Sequence, residues 1–112
     1  MNAAKELAAS LTAIRHEKDH ALPSALVALQ RLADVCRHKT GQSYKVRALL
    51  YSLWNGKPAN LLEIVSLDWT IRKDLLAVML AFGHDDFFYD EIKGAFVNRG
   101  LFDWFIEEGE QK

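Results

Sequence analysis

The sequence predicts an all-α protein, a compact irregular bundle of five or six helices. Apolar residues return every three or four positions along several segments, the spacing of one helix face. Gly41, Asn55-Gly56, Gly83 and Asn98-Arg99-Gly100 punctuate the chain into helix-sized pieces. No run alternates apolar and polar residues between hairpin turns, so strand signals are weak.

The first helix is expected over roughly 3–19, with Ala4, Leu7, Leu11 and Ile14 on one face and many alanines raising its propensity. Pro23 suits the first turn of a second helix, where its missing N–H is not needed. Leu22, Ala25, Leu26, Leu29, Leu32, Ala33 and Cys36 form the stripe of that helix, and Gly41 offers a left-handed stop. Ser43 is the expected cap of a third helix that buries Val46, Leu49, Leu50 and Leu53. Asn55-Gly56 ends it, and Pro58 blocks immediate resumption.

Asn60 with Glu63 reads as a capping box opening a short helix over 61–67. Asp68 is the expected cap of the next helix, whose stripe is Ile71, Leu75, Val78, Met79 and Phe82, with Arg72, Lys73 and Asp74 towards water. After Gly83, Asp85 or Asp86 is expected to cap a turn carrying Phe87, Phe88 and Tyr89. Ile92, Phe96 and Val97 predict a sixth helix interrupted by Gly94. Leu101, Trp104 and Phe105 then form a last turn docked on the core. A single domain over 1–112 follows, with 106–112 expected to fray.

Bulk chemistry narrows the function classes. The 112 residues are 50% hydrophobic and 26% charged, ample for one core and unlike a disordered chain. The net charge of −1 sets up no global field that demands DNA or a membrane. The charge is nevertheless uneven: residues 1–56 hold eight Lys/Arg against four acids, and the remainder six against eleven. Cys36 is the only cysteine, so an intrachain disulfide is impossible. The opening residues lack the basic and apolar regions of a signal peptide, and no apolar run approaches the ~20 residues that span a bilayer. A cytoplasmic protein without a membrane partner is the expectation.

Three constellations could carry chemistry. His16-Glu17-Lys18-Asp19-His20 fits H-E-x-x-H, which on a helix sets two imidazoles on one face for zinc, with the Glu as general base. A catalytic zinc also needs a third protein ligand, and charged Lys18 and Asp19 suit a solvated helix end better than a buried zinc helix. His16 and His20 are therefore weak metal candidates, and neither a metal nor another cofactor is expected. Arg31, Arg37, Lys39, Lys45 and Arg47 cluster around the join of the second and third expected helices, a nucleic-acid candidate of helix-turn-helix type. Asp85, Asp86, Phe87, Phe88 and Tyr89 combine aromatic anchors with an acidic rim, a protein-binding candidate. Cys36 lies on an apolar stripe, where a thiol is an inert small hydrophobe, and nothing else suggests a nucleophile.

Thr40-Gly41-Gln42-Ser43, Val46-Arg47-Ala48-Leu49-Leu50 and Leu53-Trp54-Asn55-Gly56, followed by the leucine-rich segment from Leu61 to Asp68 and the helix from Leu75 to Phe82, resemble a small domain family of unknown function. Its members are short proteins of proteobacterial plasmids, integrative elements and phages. The resemblance covers roughly residues 26–105. It implies a helical fold and a mobile-element setting, and it brings no catalytic residues. Gln42 and Trp54 have no obvious capping or helix-stopping role within these motifs, so they join the protein-binding candidates.

The resulting expectation is a non-enzymatic accessory protein of a mobile element that binds another macromolecule, foremost a protein. One specific form is an antagonist of host defence such as an anti-CRISPR, an expectation that rests on setting alone. The alternatives are a small metal-dependent hydrolase using His16, Glu17 and His20, and a nucleic-acid-binding protein using the basic cluster.

Overall fold

In a computed structural model, residues 2–83, 87 and 89–110 are described; the side chains of Ile14, Arg15, His16, Lys18 and those of residues 109–110 lie outside that description. The described residues form α1 (Ala3–Cys36), α2 (Gly41–Asn55), α3 (Leu61–Val65), α4 (Trp69–Ala81), α5 (Tyr89–Val97) and α6 (Phe102–Glu110), so the fold is all-α.

The two helices expected on either side of Pro23 are a single helix of 34 residues. Asn2 starts it, its Oδ1 accepting from the Ala4 N–H at 3.0 Å. Pro23 removes one intrahelical bond, but it sits on the exposed side, where water can serve the freed backbone. The helix stops earlier than expected. Lys39, with φ of 50°, takes the left-handed position after it, and Gly41 instead begins α2.

Thr40 caps α2, its Oγ1 accepting from the Ser43 N–H at 3.3 Å. Ser43, the expected cap, is buried one turn in, and its hydroxyl donates to the Val35 carbonyl at 2.6 Å. The Val35 carbonyl, which also accepts from the His38 N–H at 3.2 Å, thereby clamps the end of α1 to the start of α2. Gly56 closes α2 with φ of 76°, as expected from Asn55-Gly56. Asn60 caps α3, accepting from the Leu62 N–H at 2.9 Å. Asp68 precedes α4, yet its side chain makes no capping bond.

The core is built from the second half of α1 (Leu29, Leu32, Cys36), the inner face of α2 (Val46, Leu49, Leu50), Leu75 and Val78 of α4, Phe87, Ile92 and Phe96 of the α5 region, and Phe105 of α6. Phe96 and Phe105 stack at 4.3 Å. Gly94 does not interrupt α5, and α6 runs on to Glu110 with Ile106 packed against the core, past the residue where fraying was expected. The molecule is elongated and not compact. Its extents are 56 × 28 × 24 Å, and its radius of gyration of 16.1 Å exceeds the ~13 Å of a compact chain this long. The excess comes from α1, whose first half extends past the body.

Candidate functional site

Of the expected acidic-aromatic surface, Phe87 and Tyr89 fall among the described residues, and they part company. Phe87 is fully buried, its ring edge-on to Phe82 at 6.4 Å, so it belongs to the core and cannot anchor a partner. Tyr89 is exposed and lies edge-on to Phe82 at 5.7 Å. Asp85, Asp86 and Phe88 lie outside the described residues. Trp54 is half-buried, edge-on to Phe102 at 5.9 Å and to Phe105 at 5.7 Å, where it helps seat α6. Gln42 serves the fold, because its Oε1 accepts from the Asp68 N–H at 3.0 Å and ties the start of α2 to the start of α4.

The basic cluster is dispersed. Arg31 reaches across to α4 and holds Asp74 with two bonds, Nε–Oδ2 at 2.9 Å and Nη2–Oδ1 at 2.8 Å, so Asp74 does not face water. Arg37 lies 3.7 Å from Asp34. Lys45 donates from Nζ to Ser66 Oγ at 3.0 Å. Lys39 sits over the Trp104 ring, and Arg47 is buried outright. These five side chains do not meet at one site: Arg31, Arg37 and Lys45 each engage a different neighbour, whereas Lys39 and Arg47 both lie against Trp104. Glu17 and His20 are exposed, and the His16 side chain lies outside the described residues. Among the described residues no three His, Cys, Asp or Glu side chains converge as metal ligands. Cys36 is buried with its thiol pushed up to about 12 by desolvation, the state of an inert thiol.

Two features stand out instead. The first is an apolar face on α3 and α4. Leu61, Leu62 and Val65 of α3, with Trp69, Leu76 and Leu80 of α4, all face solvent; Trp69 is 69% exposed and Leu80 76%. On α4 these residues are seven and four apart, a second apolar stripe opposite the buried Leu75 and Val78. Arg72 joins the two helices. Its Nη2 donates to the Val65 carbonyl at 2.6 Å and to the Leu67 carbonyl at 3.1 Å, and its guanidinium lies 5.9 Å from the Trp69 ring. Arg72 was expected to face water; it serves the carbonyls at the end of α3. A hollow of about 140 Å3, lined by Leu61, Ile64, Leu75 and Met79, continues this surface inward.

The second feature is Arg47, the largest fully buried side chain among the described residues. Its guanidinium lies 5.9 Å from the Trp104 ring, against which Tyr44 packs edge-on at 5.7 Å. Burial pulls its pKa down by disfavouring the charged form, opposed first by the charge of Glu108 and then by Cys36, Tyr44 and Tyr51. Arg47 also borders a cavity of about 190 Å3 between α2 and the 57–60 loop, shared with Tyr51, Ser52, Lys57, Asn60 and Glu63.

Sequence reasoning missed both features, although signals for them existed. Trp69, Leu76 and Leu80 repeat at helical spacing, so α4 was legibly apolar on two faces. Arg47 lies four residues after Ser43 and three before Leu50, at the edge of the buried stripe of α2.

No curated protein and no solved structure matches the chain. Residues 26–101 match a family described as "Family of unknown function (DUF7673)", a span covering everything from the second half of α1 to the turn before α6, and the chain belongs to that family.

Proposed function

We propose that the protein is a non-enzymatic accessory factor that works by binding another protein through the outer face of α3 and α4. The carrying observation is the outward display of Leu61, Leu62, Val65, Trp69, Leu76 and Leu80. Six large apolar side chains turned to solvent on two consecutive helices are more than the singly scattered apolar residues that a protein surface ordinarily carries. A solvent-facing tryptophan among leucines is the composition of an interface anchor. Lys73 is exposed on α4, which favours a partner that sets an acidic group beside its apolar anchors. The non-enzymatic reading is supported by Cys36, the sole thiol, which is buried and held protonated. Family resemblance extends the reading to an accessory protein of a mobile element, in its most specific form an antagonist of a host defence system.

The test is affinity capture from the native host with the immobilised full chain, beside Trp69→Ala and Leu80→Ala. Both side chains are exposed, so the variants should fold with unchanged circular dichroism and melting. A stoichiometric partner retained by the wild type and lost by both variants is the expected result. Equal capture by all three proteins, or capture that depends on Tyr89 instead, would overturn it.

A further inference from the structure

Between α2 and α6 the protein gathers buried N–H donors without acceptors. Nε and Nη2 of Arg47 and Nε1 of Trp104 are all buried, and none has a hydrogen-bond partner among the described residues. They belong to side chains in contact, with the Arg47 guanidinium 5.9 Å from the indole. Buried donors are nearly always paired, and leaving one alone is costly, more so when it is charged. Three orphans in one place point to a missing acceptor.

Two cations stand beside Arg47, in a setting of mixed charge, because the cavity it borders also carries the Glu63 carboxylate. Lys39 places its ammonium 5.9 Å from the same indole, and Lys57 shares the 190 Å3 cavity with Arg47. Glu108 opposes the Arg47 charge only through space, since the Nε–Nη2 edge bonds to no carboxylate among the described residues. That edge of a guanidinium is a planar fork suited to two oxygens of one oxyanion.

We propose that this is an oxyanion-binding site: a carboxylate or phosphate group seats on the Nε–Nη2 edge of Arg47, with the Trp104 N–H as third donor and Lys39 and Lys57 alongside. Arg47 has no accessible surface, so the anion enters only as a covering side chain turns aside. Lys57 is the flexible candidate, its ammonium resting 5.5 Å from the Tyr51 ring at the cavity wall. The site adjoins the hollow behind the α3–α4 face, since Ser52 and Lys57 line both, but it does not depend on the protein-binding reading.

The experiment follows the Arg47 Nε–H and Trp104 Nε1–H resonances of the 15N-labelled full chain during titration with inorganic phosphate and, separately, acetate, with chloride holding ionic strength constant. Saturable shifts of both resonances with phosphate or acetate, but not chloride, are expected, and the anion that saturates first identifies the oxyanion class. Arg47→Met keeps the aliphatic bulk and should abolish the Trp104 response. Arg47→Lys, which retains the charge and loses the fork, should weaken binding about tenfold. Trp104→Phe should weaken the response of Arg47 and keeps the proposal testable if Arg47→Met fails to fold. Glu108→Gln should tighten binding by removing a competing carboxylate. No saturable shift up to anion concentrations on the order of tens of millimolar, or an equal Trp104 shift in Arg47→Met, an adventitious ion only, overturns the site. So does an anion response that is absent from the wild type while Glu108→Gln alone moves both resonances, because the acceptor is then Glu108.

Discussion

The two halves of α1 carry the same kind of stripe and meet opposite fates. Leu7 and Leu11 in the first half are 61% and 55% exposed; Leu29 and Leu32 in the second half are fully buried. The spacing is helical in both, and the alanine content favours a helix in both. Only the second half has α2, α4 and α5 against it. Apolar periodicity therefore says which residues share a face and not whether that face finds a partner. An isolated helix is marginal in water, so the first half takes its order from propensity and from continuity with the packed half.

The sharpest way to break this contrast is chemical. Cys36 in the packed half should react with a thiol reagent at neutral pH only through global opening. Leu11→Cys in a Cys36→Ala background should react like a free exposed thiol. The rates should differ by a factor on the order of a thousand or more, the opening equilibrium of a small domain. Comparable rates would mean that the packed half opens as readily as the arm.

Truncation comes next in size. Leu32→Ala should lower the unfolding free energy in urea by about 2–5 kcal/mol, whereas Leu11→Ala should change it by no more than ~0.5 kcal/mol. A large effect at Leu11 would show that the arm is covered in solution.

Pro23→Ala restores an intrahelical bond at the junction of the halves. It should slow amide exchange locally around residues 19–27, corresponding to up to about 3 kcal/mol, with a smaller change in the global urea midpoint. Unchanged local exchange would mean that the arm is limited by something other than the proline.

The smallest effect depends on pH. Arg99 donates from Nε to Asp34 Oδ1 at 2.7 Å, and this bond, more than the charges of Arg99, Arg37 and His38, holds the carboxyl below its ordinary pKa. The lowered pKa makes ionised Asp34 stabilising above the usual carboxylate range near ~4, and that contribution is lost as pH falls through the lower folded value. The stability gap between wild type and Asp34→Asn, read by urea unfolding, should therefore be present at neutral pH and shrink below about pH 4. A gap that stays constant with pH would mean that the ion pair adds nothing to the packed half.

Several boundaries were legible because they depend on neighbouring residues in the chain. Asn60 caps α3 and Gly56 ends α2 through bonds spanning only a few positions. At the start of α2 the local pattern points to a stop at Gly41 and a cap at Ser43, whereas Thr40 does the capping and Lys39 takes the positive φ. Of the candidate site, the apolar residues of α3 and α4 were readable as a helical repeat but not as an outer face. Gln42 was singled out, yet its partner at Asp68 lies 26 positions away and no local rule reaches it.

Hydrogen-bond and dihedral chemistry within a few residues settled that this chain is helical and where most of its turns fall. Packing across long separations decided the rest: which half of α1 is covered, that Arg47 enters the interior beside Trp104 while Arg31 reaches out to Asp74, and that α4 turns one of its two apolar stripes to water. Burial is a relation between surfaces supplied by distant segments, so it takes its value only when those segments meet.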